Sequence, residues 1–202
     1  IQTSYLLNEL KDNDVQSFVN DSMVQIKYMS KTLSDFRNFL KPSTKKVLFS
    51  ISKALNEINE IIGKQVFYSN INMSFNYKNE NEELLIYGYE NEFKQVLLNI
   101  INNAKNKIIE KNLPINKKGS IDINIKRCEE SNMIEIIDDA GAIDEKIINS
   151  IFEPYFTTKE DGMGLGLYMA KIIIEDKMKG TINVRNYKNC VIFTINLPFK
   201  RI

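Results

Sequence analysis

A chain of 202 residues and 23.4 kDa accommodates one ordinary domain and a smaller element, because a domain takes roughly 100 to 200 residues. Hydrophobic residues at 43% and charged ones at 26% describe a globular protein with a real core, not a disordered tail or a fibre. There is no histidine, so these residues alone supply no Ser-His-Asp triad, H-E-x-x-H zinc site, His-bearing facial triad or H-R-D loop. With 27 Lys+Arg against 26 Asp+Glu the net charge is +1, and no global field recommends nucleic acid or anionic lipid as a partner. Cys128 and Cys190 lack the paired spacing of a zinc or redox motif, so reduced thiols and a cytoplasmic location are expected. No apolar stretch approaches the ~18 residues that span a bilayer, and Ile1-Gln2-Thr3-Ser4 is no basic signal-peptide start. Membrane contact is therefore not expected of this chain. Because it opens on Ile1 rather than Met, it reads as a piece of a longer protein whose upstream part is free to carry an anchor.

Residues 1–41 read as helix. Val15, Val19, Ser22, Ile26, Met29, Leu33, Phe36 and Leu40 are spaced 4, 3, 4, 3, 4, 3 and 4 apart, a heptad seam that wants a partner helix. Leu6, Leu7 and Leu10 form a shorter apolar face, and Asp14 after a polar break is a good N-cap for the second arm. Together they predict a helical hairpin whose first arm is too short to cover the second, so that another chain or an upstream continuation completes the bundle; the alternative is a long helix folded onto the rest of the protein. Pro42 in Lys41-Pro42-Ser43-Thr44-Lys45-Lys46 ends the helix by its missing N–H and its restriction of the residue before it. This places a linker at 42–46 and a second domain over 47–202.

In that domain the pattern mixes strands and helices: a strand at 47–49, a helix at 50–63, strands at 72–77 and 84–88, and a helix at 90–111. Alternation predicts strands at 121–125 and, after a turn at Ser131-Asn132, at 133–137. A short helix at 144–151, a loop rich in Thr, Lys and Gly, a helix at 165–177 and strands at 181–184 and 191–197 complete an α+β sandwich with helices on one face of a mixed sheet.

Four clusters carry chemistry. Asn99, Asn103 and Lys107 are four apart and share a helix face opposite Val96, Leu97, Ile100, Ile101 and Ala104; amide oxygens suit Mg²⁺ that also binds substrate phosphates, and the lysine suits a phosphate. In Ile136-Ile137-Asp138-Asp139-Ala140-Gly141-Ala142 a carboxylate ends an apolar strand beside small residues, which is either an ordinary strand-ending turn capped by Asp or a place where Asp138 accepts from an exocyclic amine on a flat ligand. Asp161-Gly162-Met163-Gly164-Leu165-Gly166 opens an apolar helix with free N–H groups and a positive helix end, which suit phosphate. The spacing is neither G-x-G-x-x-G nor a P-loop. In Ile151-Phe152-Glu153-Pro154-Tyr155-Phe156-Thr157-Thr158-Lys159 the aromatics either anchor a loop or belong to the core, and Thr158 and Lys159 are candidates to face phosphate.

In order and spacing these clusters closely resemble the N, G1, F and G2 boxes of the GHKL (Bergerat-type) ATP-binding fold. Leu97-Leu98-Asn99-Ile100-Ile101-Asn102-Asn103-Ala104-Lys105 and Gly164-Leu165-Gly166-Leu167-Tyr168-Met169-Ala170-Lys171, with Met29 to Pro42 at the hairpin, resemble a bacterial sensor histidine kinase. The resemblance implies an ATP-binding catalytic domain after a dimerising hairpin, a homodimer through the amino-terminal helices, and a response-regulator receiver as partner. It implies Mg²⁺ at Asn103 with Asn99, the adenine amino group at Asp138, the base beside Gly141, phosphates on the backbone around Gly162, Gly164, Leu165 and Gly166, and an ATP lid between Phe152 and Gly162. Thr194 is expected to support the adenine through water.

Two positions depart from the family pattern. Ala142 replaces a usual glycine, and Asn106 stands where many relatives have lysine, which passes a phosphate contact to Lys107 or Lys105. The implied reaction transfers the ATP γ-phosphate to a histidine, absent from this chain and expected upstream. A histidine-less nucleotide-binding scaffold, a GHKL ATPase and an anti-sigma type serine kinase are the alternatives. Asn99 occupies the position where the ATPases place a general-base glutamate, which implies negligible hydrolysis.

Overall fold

The structure, a computed structural model, describes residues 43–78, 83–111, 113, 114, 116–159 and 162–199, with positions 19, 22, 23 and 26 nearer the amino terminus. The chain divides into two compact units, Ile1–Lys41 and Pro42–Ile202. In the first, Val19, Ser22, Met23 and Ile26 are helical, and Val19 and Ile26 of the heptad seam are 46% and 57% exposed. The rest of the seam, the shorter apolar face and Asp14 lie outside the described residues.

The second unit starts with β1 (Val47–Ser50) and α1 (Ile51–Tyr68), whose N-cap Ser50 accepts from the Lys53 N–H. Helix α1 passes Gly63, where the sequence reading ends it, because Val66 extends the buried stripe of Ile51, Leu55, Ile58 and Ile62. Burying one more valine, about 1.5 kcal/mol or more, outweighs the roughly 1 kcal/mol that a helical glycine costs relative to alanine. Strand β2 (Ile71–Tyr77), β3 (Leu85–Gly88) and α2 (Glu90–Glu110) follow. Tyr89, the N-cap of α2, offers no side-chain cap. Ser43 supplies one from outside: its Oγ accepts from the Asn91 N–H at 3.2 Å while its own N–H donates to the Glu92 carboxylate at 3.3 Å. Thus the expected linker is tied at Ser43 to the second unit.

Strands β4 (Gly119–Arg127) and β5 (Ser131–Asp138) form a hairpin. Its turn falls at residues 128–130, where the Cys128 N–H donates to the Ser131 carbonyl, immediately before the expected Ser131-Asn132, which belong to β5. Helix α3 (Gly166–Lys171) continues as a wider π-helical turn over Ile172–Lys177, before β6 (Thr181–Tyr187) and β7 (Cys190–Pro198). Residues 144–153 form successive tight turns instead of the expected helix: Ile147, Ser150 and Glu153 each donate three residues back. Asp144 Oδ1 takes the Lys146 N–H at 2.9 Å, a local bond that competes with helix.

Five strands make one sheet in the order β2-β4-β5-β7-β6, with β2 parallel to β4 and the other pairs antiparallel, while β1 and β3 pair separately. Alternation along β4, β5 and β7 sends Ile121, Ile123, Ile125, Ile134, Ile136 and Ile195 into a fully buried layer facing the helices. Asn132, on that buried side, donates to the Leu85 carbonyl at 3.0 Å and joins the small sheet to the large one. Lys94 is buried between helices. Burial lowers its pKa, but Glu57 on α1 and Glu90 at 2.8 Å on α2 outweigh that and raise it. The tie across α1 and α2 keeps the face of α2 that bears Asn99 and Asn103 in a fixed register.

Candidate functional site

A cavity of about 540 Å³ opens between α2, the end of β5, the turns at 144–151 and the approach to α3. Asn99, Asn103, Lys107, Asp138, Gly141, Thr158, Lys159, Gly162, Gly164, Leu165 and Gly166 all line it. These residues are up to 67 positions apart in the chain, from Asn99 to Gly166, and only the fold gathers them. Asp161 lies outside the described residues.

One end is built on strand termini. Asp138, the last residue of β5, continues the buried series Asn132, Ile134, Ile136 and is itself 4% exposed. It pairs across the sheet with Ile121 and Val191. Burial pushes its carboxyl up to about 6, helped by Asp139 and opposed by the Ala140 N–H, which donates to Oδ1 at 3.1 Å, and by Lys111. A half-satisfied carboxylate at an apolar wall is a strong acceptor for a donor edge of a flat ligand. Gly141 adopts φ +104°, a conformation a side chain resists. Nothing but the Asn189 Oδ1, at 3.9 Å, would meet a Cβ there, so the backbone angle and not close packing demands the glycine. Ala142 lines the cavity beside it.

Residues that the sequence reading does not single out hold this end. Asn186 on β6 accepts from the Ile143 N–H at 2.9 Å and donates to the Ile143 carbonyl at 2.7 Å, clamping the cavity wall after Gly141. Lys111 donates to the Asp139 carbonyl at 2.9 Å, and Asp139 Oδ1 accepts from the Ser120 N–H at 2.9 Å. Val191 and Phe193 line the cavity, whereas Thr194 does not: neighbouring side chains of a strand point to opposite faces, so Thr194 is turned from the site it was expected to support.

The other end is built on turns. Gly164 adopts φ +65°, and a Cβ there would strike the Tyr155 backbone. At Gly166 a Cβ would strike Asn99 Oδ1, so Asn99 packs beneath the start of α3. Its Nδ2 is buried with no partner. Leu165, the N-cap of α3, makes no side-chain capping bond, which leaves N–H groups at the helix start for an anion. The aromatics divide: Phe152 packs edge-on to Phe193 with centroids 6.3 Å apart, Phe156 lines the cavity, and Tyr155 is 76% exposed.

Asn103 and the lysines complete this end. Lys159 Nζ donates to Asn103 Oδ1 at 3.1 Å, so that amide oxygen is already oriented to take a cation, as a hard oxygen ligand of Mg²⁺ must be. Lys107 Nζ, expected to meet phosphate, is held by Glu110 at 2.7 Å. Lys105 and Asn106 are not among the residues lining the cavity. Among the described residues no group of three or more His, Cys, Asp or Glu forms a metal cage, and no helix is long and apolar enough to cross a membrane.

Residues 88–201 match the family described as histidine kinase-, DNA gyrase B-, and HSP90-like ATPases. The chain is similar to sporulation kinase A of Bacillus subtilis (strain 168), 32% identical over 83% of this chain and 27% of that protein, and so spans about a quarter of that relative. Its structure resembles the catalytic domain of the histidine kinase ThkA, with a TM-score of 0.66 and 29% identity over 77% of this chain and 96% of that domain. A longer ThkA structure, solved in complex with the response regulator protein TrrA, is also similar, with 94% of this chain and 53% of that one covered at a TM-score of 0.62 and 23% identity. The chain belongs to the histidine kinase-, DNA gyrase B- and HSP90-like ATPase family, and its second unit is an ATP-binding catalytic domain of the sensor histidine kinase kind.

Proposed function

We propose that this chain supplies the nucleotide-binding half of a phosphotransfer from ATP to a protein histidine, and from there to the aspartate of a response regulator. The observation that carries the reading is the cavity that joins a buried carboxylate, Asp138, at one end to the uncapped start of α3 and Asn103 at the other. Asp138 accepts the adenine amino group, with Gly141 and Ala142 beside the base. The N–H groups around Gly164 to Gly166, with Thr158 and Gly162 nearby, receive the phosphates. Asn103 is the residue that would hold Mg²⁺, while Asn99 positions the helix start through Gly166. A Mg²⁺ ion held there would supply charge neutralisation for the phosphates.

The roles assigned to these residues are positioning and charge neutralisation, and none of them is assigned as the phosphoryl acceptor. With no histidine in the chain, the phosphoryl acceptor belongs to another segment or another chain. Homodimerisation through the amino-terminal helices is supported by the exposure of Val19 and Ile26, apolar positions of a heptad seam that a second copy would cover. A response-regulator partner is supported by the ThkA complex.

The test is transfer to a separately expressed helical hairpin that bears a histidine. With Mg²⁺ and γ-labelled ATP, acid-labile label appears on the hairpin, none appears on histidine of this chain, and Asp138→Asn abolishes the transfer. Tight ATP binding without transfer to the hairpin overturns the kinase reading in favour of a nucleotide-binding scaffold. Steady ATP turnover lost on Asn99→Ala favours an ATPase instead.

A further inference from the structure

The contact between Lys159 and Asn103 joins residues 56 positions apart. It puts a primary ammonium on the oxygen best placed to receive a divalent cation. The backbone of Lys159 is itself anchored: its N–H donates to Thr157 Oγ1 at 3.1 Å, and its carbonyl accepts from the Gly162 N–H at 3.2 Å. The other lysine on this wall, Lys107, pairs with Glu110 at 2.7 Å, both side chains being exposed to solvent. An ammonium and Mg²⁺ cannot both occupy one amide oxygen, since like charges at such range repel strongly in a partly buried site. Each nevertheless does the same electrostatic work beside a polyphosphate.

We propose that Lys159 is a resident counter-cation that gives way to Mg²⁺ at Asn103 Oδ1: without metal the ammonium on that oxygen faces the phosphates, and with metal Mg²⁺ takes the oxygen and the ammonium is displaced from it. Lys159 is then a positioning residue for the nucleotide whose influence is greatest where the metal is absent. The proposal rests on the assignment of Asn103 as the Mg²⁺ ligand. Lys159 lets the site hold nucleotide without metal, so Mg²⁺ improves binding only modestly in the unaltered protein.

The test is the affinity for a non-hydrolysable ATP analogue, measured by calorimetry on the whole chain in Mg²⁺ and in EDTA. In Lys159→Met the analogue loses affinity chiefly in EDTA, so the enhancement by Mg²⁺ grows about tenfold over the unaltered protein, the scale of one charge-assisted contact. Lys159→Arg, which keeps the charge, restores the original enhancement, and Lys159→Gln repeats the methionine result should that variant fold poorly. In Asn103→Ala the enhancement disappears while affinity in EDTA is kept. An unchanged enhancement in both Lys159→Met and Lys159→Gln overturns the exchange even if Asn103→Ala behaves as expected. Full enhancement surviving in Asn103→Ala overturns the metal assignment itself, and the exchange with it.

Discussion

The two ends of the cavity are held by different means. At the base end, Asp138 stands on a strand terminus in an eight-residue pairing with β7, and the chain beyond it is fastened through Asn186, Lys111 and Ser120 to three other elements. At the phosphate end the wall is a run of turns around Gly162 to Gly166, closed by one long-range side-chain bond from Lys159. The difference matches the ligand. A flat base is recognised by one acceptor in one place, which needs rigidity, whereas phosphates are held by many N–H groups and by exchangeable cations. A rigid end gives specificity, and an end built on backbone turns tolerates movement of charge.

Asp138→Asn tests the rigid end most severely. Loss of the charged acceptor is expected to weaken ATP binding about 100-fold, the scale of a buried charge-assisted hydrogen bond. The same variant should be more stable at pH 8. The folded carboxyl keeps its proton up to about 6 against 3.8 for the free group, so the folded state binds more protons between those values. Stability therefore falls as pH rises through that window, by about 3 kcal/mol at most. The asparagine has no such loss. Melting temperatures of the two proteins should differ at pH 8 and converge toward pH 4; a variant less stable at pH 8 would contradict the burial argument.

Gly164→Ala breaks the other end. With φ at +65° and the Tyr155 backbone in the way, the added methyl should displace the turn and weaken ATP and ADP about thirtyfold, the effect of roughly 2 kcal/mol of backbone strain. Adenosine, which has no phosphate, should bind as before. Isothermal titration with all three ligands measures this, and equal losses for adenosine would erase the distinction between the ends. Asn186→Ala has the smallest expected effect, about tenfold, from two hydrogen bonds to Ile143 worth roughly 1.5 kcal/mol together. Here ATP, ADP and adenosine should lose affinity alike, with no change in the Mg²⁺ enhancement. Losses confined to the phosphorylated ligands would show that the clamp acts on the wrong end.

Much of this protein is written locally. The heptad spacing, the alternation of β4 and β5, the asparagines one turn apart on α2 and the glycine run before α3 are short-range patterns. Eleven of the residues singled out line one cavity, whereas Thr194 and Lys105 do not. What local pattern leaves open is set by long-range pairing. The strand alternation marks both Val191 and Thr194 as sheet residues, but which one faces the cavity depends on the register between β5 and β7. Spacing along α2 puts Lys107 on the cavity face, whereas the cation that touches Asn103 comes from 56 residues away. The same holds for the Asn186 clamp, the cap that Ser43 gives α2 and the raised pKa of Asp138: each arises from groups distant in the chain that packing brings into a water-poor environment. The order of residues thus determines which chemistry is on hand, through backbone periods and turn preferences. Tertiary packing decides which group meets which, because burial and hydrogen-bond partners are properties of the assembled layers.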